Sequence, residues 1–374
     1  MNAYLSDKIR VISLITMVLL TFVHAYTFPS ITFHGEVFSW EGLSFAVQYS
    51  VSQGLAKFRL PMFFILSGYF FIRSVHLSEV AFLPQFLKRL RTVALPYLLW
   101  SSIGFLIYLF LQWPETTRSL FPHNQVWGLP FSGVVGKILF DPIPYQLWFL
   151  RDLMVLFALS PLIMWCIRRV GAWVLVPPLL CWLLEWDPVI LGNESLPFFI
   201  AGGWLAMRGP DQEPAMTDRT RRVILISWLS TIVVKTALVM NGHVHQEVIR
   251  QLHHFCVFLG LISVWVGYDL VLRTVEVREH WMYRFTAYSF FLYAAHEPCL
   301  TMVKHVLLHF LGGHPLAVLV CYFTAPMITM IVCLAVARAL LQFAPRFYGL
   351  LTGGRGIRRS AAAAPPTWAT TRAA

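Results

Sequence analysis

The strongest constraint on this chain is a recurrence of uncharged, apolar segments, each about as long as a bilayer is thick and separated by short basic runs. Backbone surrounded by hydrocarbon has no water to satisfy its N–H and C=O groups, so segments of this kind must close their own hydrogen bonds as helices. A membrane helix needs about 20 mostly apolar residues. Ten segments qualify, at 10–28, 52–73, 92–112, 147–167, 172–190, 196–207, 222–240, 252–272, 286–306 and 315–341. The sixth is short and is expected to extend through the preceding loop. The fold expected is therefore all-α, a polytopic transmembrane bundle of about ten spanning helices.

Composition excludes the main competing class. With 57% hydrophobic and 13% charged residues, the chain is far from a soluble domain, where about a quarter of residues are charged. A net charge of +11 could point to nucleic acid, but the cations lie in short runs between apolar segments and no soluble domain exists to present them. The partner implied is a lipid bilayer, with no nucleic acid. If the N-terminus is cytoplasmic, most of the 29 Lys and Arg residues fall in inside loops, including Lys8, Arg10, Arg73, Lys88, Arg89, Arg91, Arg168, Arg169, Arg219, Arg221, Arg222 and Arg278. That asymmetry is the positive-inside pattern and places both termini in the cytoplasm.

The first segment has a basic start and an apolar centre like a signal peptide, but HAYTFPS after it offers no small-residue cleavage pattern, so it is read as a retained helix. The six cysteines all fall in apolar runs without metal-binding or disulfide spacing. Residues 74–91 read as an amphipathic helix on the inner face, and 113–146 as an irregular external cap rich in Pro, Gly and aromatics. No internal repeat is visible. The division expected is a transmembrane domain over 1–345 and a basic, structureless tail over 346–374.

Ionisable side chains within apolar segments are costly there and are functional candidates by default. His24 lies in the first segment, fourteen residues after Arg10, which puts both on roughly one helix face about 21 Å apart. The second segment contains Arg59 near its outer end, where it could bind an anionic or polar group, and Ser67-Gly68, where a glycine permits close helix approach. Lys88, Arg89 and Arg91 form a cationic cluster suited to lipid or donor phosphates. Arg151 and Asp152 are adjacent near the outer end of the fourth segment; being about 100° apart, they are expected to pair with other helices rather than each other. His296 and Glu297 precede Pro298 in the ninth segment, where proline frees a carbonyl and can open a cavity. His243, His245, His253 and His254 cluster around an outer loop, and His305 and His309 stand one turn apart; lacking an HExxH, a Cys set or a carboxylate partner, they are assigned no metal.

Taken together, these segments resemble the acyltransferase-3 family of bacterial integral-membrane O-acyltransferases. The resemblance rests on Arg then His in the first helix, FFILSGYFF at 63–71, KRLRTVALPYLLW at 88–100, LWFLRDLMVLFALSPL at 147–162, FFIAGGWLA at 198–206 and SFFLYAAHEP at 289–298. One spacing departs from the family: Arg10 and His24 enclose thirteen residues where about ten are usual. The resemblance implies about ten spans, a bacterial cytoplasmic (inner) membrane location, an acyl-CoA donor, commonly acetyl-CoA with succinyl transfer in a glucan-modifying branch, no permanently bound cofactor, and a glycan or other hydroxyl-bearing envelope acceptor.

Acyl transfer from a thioester requires a base for the accepting hydroxyl and stabilisation of an oxyanion. The expected assignment makes His24 the base, with Arg151 or His296 stabilising charge or orienting substrate. Lys88, Arg89, Arg91 and Arg10 would hold the CoA phosphates. Arg59, Ser67, Asp152 and Glu297 are substrate or supporting positions. The competing classes are a proton-coupled transporter or exporter that uses the same ionisable residues as a relay, and a non-catalytic partner of a glycan-assembly complex.

Overall fold

The computed structural model describes residues 3–28, 33–76, 82–118, 121, 124–186, 191–208, 216–242 and 244–356. Among them the regular structure is entirely helical. The chain runs through α1 (Ala3–Ala25), α2 (Trp40–Tyr49), α3 (Arg59–His76), α4 (Phe82–Arg89), α5 (Leu95–Leu111), α6 (Glu115–Arg118), α7 (Phe131–Leu139) and α8 (Trp148–Val170). It continues through α9 (Val176–Leu183), α10 (Ser195–Met207), α11 (Asp218–Asn241), α12 (Gln246–Leu272), α13 (Ser289–Leu311), α14 (Pro315–Phe343) and α15 (Pro345–Thr352).

Seven helical runs among the described residues are long and apolar enough to cross a membrane: Ala3–Ala25, Trp40–His76, Phe82–Leu111, Tyr145–Leu183, Asp218–Asn241, Gln246–Leu272 and Pro315–Phe343. The expected segment 172–190 is not a full span. It is a 3-10 turn, Gly171–Leu175, followed by the eight residues of α9, which ends before Glu185 at φ 54°. The sixth segment does not extend backward either, since α10 begins at Ser195 and has 13 residues. Helix α13 is interrupted at Glu297 (φ −106°, ψ 136°), the extended conformation imposed on a residue before proline.

Helices α3, α8 and α10 pack side by side in the same direction: Phe64 meets Phe149 and Phe71 meets Phe157 across α3 and α8, while Gly68 and Ile72 of α3 face Phe199 and Gly203 of α10. The α3–α10 contact is backbone to backbone. A Cβ at Gly68 would lie 2.1 Å from the Phe199 oxygen, and one at Gly202 would lie 2.0 Å from the Ile65 oxygen. A side chain at either position would push the two helices apart, and its absence is how a short helix can be held within a membrane bundle by close van der Waals packing.

Helix α1 touches α3, α12, α13 and α14. Its basic end is anchored by Lys8, fully buried, whose ammonium lies 2.8 and 2.9 Å from the two oxygens of Asp269 on α12 and 4.2 Å from the Trp265 ring. Arg278 adds a 2.8 Å bond to Asp7. At the other end, the Lys304 ammonium donates to the carbonyls of His24 (3.2 Å) and Tyr26 (3.4 Å), satisfying orphan helix carbonyls and the negative end of the dipole together. Above that end lies a helical segment that the apolar pattern did not reveal. Helix α2, capped by Ser39 on Gly42 N–H, passes into π-helical turns over Ser50–Leu55, and Ser52 bonds Phe22 O and the Tyr322 hydroxyl.

Segment 113–146 is not an irregular cap. It folds back along α5, with Pro144 against Gly104 and α7 beside the N-terminal half of that helix. The last carbonyls of α7 find donors there: Ser101 to Ile138 O (2.8 Å), Tyr97 to Leu139 O (2.8 Å) and Arg151 to Phe140 O (3.0 Å). Backbone placed at this depth requires such partners. The expected tail also begins as structure. Helix α15 buries Tyr348 and Leu351, and Trp100 donates to Leu351 O at 3.0 Å; the turn after it brings Arg355 to Thr92 O at 2.8 Å. Residues 357–374 of the tail, 77–81 of the amphipathic segment and His243 lie outside the described residues; the rest of that amphipathic segment is helical, ending α3 at His76, forming α4 over Phe82–Arg89 and passing into π-helical turns from Leu90.

Candidate active site

His24 is the penultimate residue of α1, so its shelter comes from neighbouring protein rather than from depth in lipid. Its ring stacks on Tyr145 (4.8 Å between centroids, 10° between planes) and meets the His296 ring edge-on at 5.1 Å. His24 also lines a cavity of ≈ 30 Å³ with Arg59, Leu20, Phe63, Gln146 and Tyr293, room for about one or two water molecules. The His24 Nδ1 atom is buried and has no hydrogen-bond partner.

The broken helix α13 sets the second imidazole. His296 is fully buried, and its Nδ1 lies 2.8 Å from Tyr293 O and 3.1 Å from Leu292 O. A carbonyl only accepts, so Nδ1 carries the proton and Nε2 of the neutral ring is a lone pair. That Nε2 is buried without a partner. Pro298 lacks an N–H and therefore orphans the carbonyl four residues back, Ala294. Gln146 fills the gap by donating its Nε2 to Ala294 O at 3.3 Å, and Tyr293 returns its hydroxyl to Gln146 O at 2.7 Å. The two bonds clamp residues 145–147 to α13 and so place Tyr145 over His24. Beside this clamp, Glu297 accepts the Thr301 hydroxyl at 2.8 Å and lies next to Tyr145.

Arg59 is the cation that reaches the cavity. It is 7% exposed, with Nη1 on Ala56 O at 3.1 Å and a buried Nε that has no partner. Arg151, the cation expected there, is engaged elsewhere: it closes α7 through Phe140 O and pairs with Asp152 at 3.1 Å. The expectation that Arg151 and Asp152 would turn away from each other fails because the long guanidinium arm swings back over the neighbouring carboxylate. The other oxygen of Asp152 receives Ser195 Oγ (2.5 Å) and Gly192 N–H (2.9 Å), so this fully buried carboxylate ties α8 to the start of α10 rather than orienting an imidazole. Ser67 is half-buried on α3, eight residues and about 12 Å of rise from Arg59.

On the basic face, Arg10 is exposed and lies beside Tyr283; the buried cation of the first helix is Lys8. Lys88 and Arg91 are exposed, whereas Arg89 lies over the Phe71 and Phe157 rings at 5.7 and 5.5 Å. Arg355 joins this group; burial, then the nearby charge of Arg89, holds its pKa down to about 10. Of the histidines weighed as metal ligands, His253 turns to Lys235 (3.3 Å) while His254 packs on Trp182 (4.4 Å), and His305 bonds its own helix at Thr301 O (2.8 Å).

Sequence reading therefore found His24, His296, Glu297 and Arg59, and overlooked Tyr145, Gln146 and Tyr293. One signal was available for Tyr293: it stands three residues before His296, on the same helix face.

Residues 6–338 match the acyltransferase domain family. The chain is also similar to the succinoglycan biosynthesis protein ExoH of Rhizobium meliloti (strain 1021), with 25% identity over 372 residues that cover 98% of this chain and 97% of that protein. No solved structure matches significantly.

Proposed function

Because the chain belongs to the acyltransferase-3 family and is thus a multi-pass membrane acyltransferase, we propose that it moves a short acyl group, acetyl or succinyl, from acyl-CoA to a hydroxyl of a cell-envelope polysaccharide. Similarity along nearly its whole length to a protein of succinoglycan biosynthesis supports a glycan acceptor. The observation that carries the mechanism is a small cavity lined by both His24 and Arg59, with the His296 ring edge-on to His24 behind it.

In this reading His24, which faces the cavity, takes the proton as the acceptor hydroxyl oxygen bonds to the thioester carbonyl carbon. His296 offers its Nε2 lone pair to the protonated neighbour and steadies it. Arg59 stabilises the negative charge that develops on the carbonyl oxygen, taking the part that Arg151 cannot. When the C–S bond breaks, the CoA sulfur leaves and the proton on His24 is available to it. Lys88, Arg89 and Arg91 hold the CoA phosphates at the basic face, which lies toward the cytoplasm of the inner membrane with both termini.

The test is release of CoA thiol and acyl transfer to envelope oligosaccharide by purified protein, compared with His24→Ala and His296→Ala. Each variant should insert and unfold like the parent while losing about 100-fold or more in kcat. Undiminished turnover in a correctly inserted His24→Ala protein rejects the assignment.

A further inference from the structure

The cavity beside His24 is lined by a further polar side chain that the transfer step leaves unused, Gln146. Gln146 is 3% exposed, and its amide nitrogen is taken by Ala294 O, which only accepts, so the amide orientation is fixed and the free atom is Oε1. That oxygen is buried without a partner. So are His24 Nδ1 and Arg59 Nε, and all three side chains line the same cavity of ≈ 30 Å³. The Tyr293 hydroxyl, on another residue of the lining, already donates to Gln146 O. Leu20 and Phe63 bring apolar surface to the wall.

A guanidinium only donates, a glutamine oxygen only accepts, and His24 accepts when it acts as a base. The cavity therefore offers two acceptors and one donor to a small occupant. A sugar hydroxyl brings one hydrogen, which can go to His24 or to Gln146 but not to both. A water molecule brings two, so it donates to His24 and Gln146 while its oxygen accepts from Arg59 Nε–H. A polar cavity of this volume with three partners meets what a buried water requires. We infer that the protein also hydrolyses acyl-CoA when no glycan hydroxyl occupies the cavity, with Gln146 holding the water that attacks. This rests on the acyl-transfer reading above and adds water to it as a second acceptor. The water oxygen bonds to the thioester carbonyl carbon as one of its protons passes to His24, and the carbonyl oxygen, now negative, is met by another N–H of Arg59. The C–S bond then breaks. The sulfur leaves with the electron pair and takes the proton from His24, giving CoA thiol and the free carboxylic acid, whose hydroxyl hydrogen came from the water and still faces Gln146 Oε1. Transfer prevails when a bound glycan puts its own hydroxyl in the water's place.

The first measurement needs no variant at Gln146. Full-length protein in detergent is given acetyl-CoA or succinyl-CoA in heavy-oxygen water without oligosaccharide, and thiol and free acid are followed together. Thiol and acid carrying one heavy oxygen should form at equal rates, about 100-fold or more above His24→Ala. Thiol release that requires oligosaccharide overturns the hydrolysis while acyl transfer stands. Gln146→Met and Gln146→Glu then locate the water, each first shown to be folded by its Tm. Neither keeps the amide N–H for Ala294 O, but glutamate keeps an acceptor oxygen at the same place, so a purely structural role would affect the two alike. Gln146→Met should lower the ratio of hydrolysis to oligosaccharide transfer about tenfold, and Gln146→Glu should recover it. A ratio unchanged in Gln146→Met overturns the role of Gln146. Acid release with no ester on the oligosaccharide in any arm keeps the hydrolysis and overturns the transfer reading; thiol release in no arm overturns both.

Discussion

Gly202→Ala is the sharpest structural test of how the site is built. The added Cβ would lie 2.0 Å from Ile65 O and 2.8 Å from both Ile65 C and Tyr69 N. All three are backbone atoms of α3, so no rotamer change relieves the contact. Reaching the 3.0 Å that real Cβ atoms observe requires α10 and α3 to separate by about 1 Å. Overpacking of this kind costs about 1–3 kcal/mol, and the rigid obstacle argues for the upper end. The displacement also has a functional consequence, because Arg59 begins the same helix, six residues before Ile65. A shift of about 1 Å at a positioning group can lower turnover about 100-fold. Thermal unfolding in detergent and kcat for thiol release would be compared with Gly267→Ala on α12, where a Cβ meets nothing within 4 Å. That control should be neutral or gain up to about 1 kcal/mol from helix propensity. If the two variants match in Tm and kcat, the backbone-contact argument is wrong.

Other perturbations separate structural from chemical roles. Arg151→Met removes the donor to Phe140 O and the partner of Asp152; it should cost about 1–3 kcal/mol in thermal stability yet leave kcat of the folded protein within about tenfold, whereas a larger loss would restore Arg151 to the chemistry. Lys8→Met or Asp269→Leu alone leaves a buried charge unpaired and should cost about 3–5 kcal/mol, while the double variant recovers most of it, as read by Tm; additive losses would refute the pairing. Replacing Lys88, Arg89 and Arg91 with Gln should raise the donor KM about tenfold or more with little change in acceptor KM, and the opposite pattern would place the CoA phosphates elsewhere.

The two polar residues that first singled out the opening helix were altered unequally by the fold. His24 gained neighbours that make chemistry plausible, among them His296, more than 270 positions away and invisible as a partner to any local pattern. Arg10 stays exposed while Lys8, two residues earlier, is buried, because α12 offers Asp269 at that level. Arg59 and Arg151 exchanged standing for the same kind of reason. Each is an arginine near one end of an apolar segment, and only the position of the α7 carbonyls decides which guanidinium stays available to the cavity.

What the amino-acid order determined by itself is the class of structure. Apolar length makes helices obligatory where water is absent, and the clustering of cations marks one face of the bundle. It also marked Gly68 as a close-packing site and Pro298 as a break, since both follow from covalent structure alone. The tertiary structure decided which helix faces meet, that residues 113–146 return along α5, that Gln146 fills the place left by Pro298, and that the His24 and His296 rings come together. Lipid tails are as apolar as leucine, so hydrophobicity puts segments in the membrane without saying how they pair. Shape at glycines and the demand of each stranded polar group for a partner settle that pairing, and both depend on atoms distant in sequence.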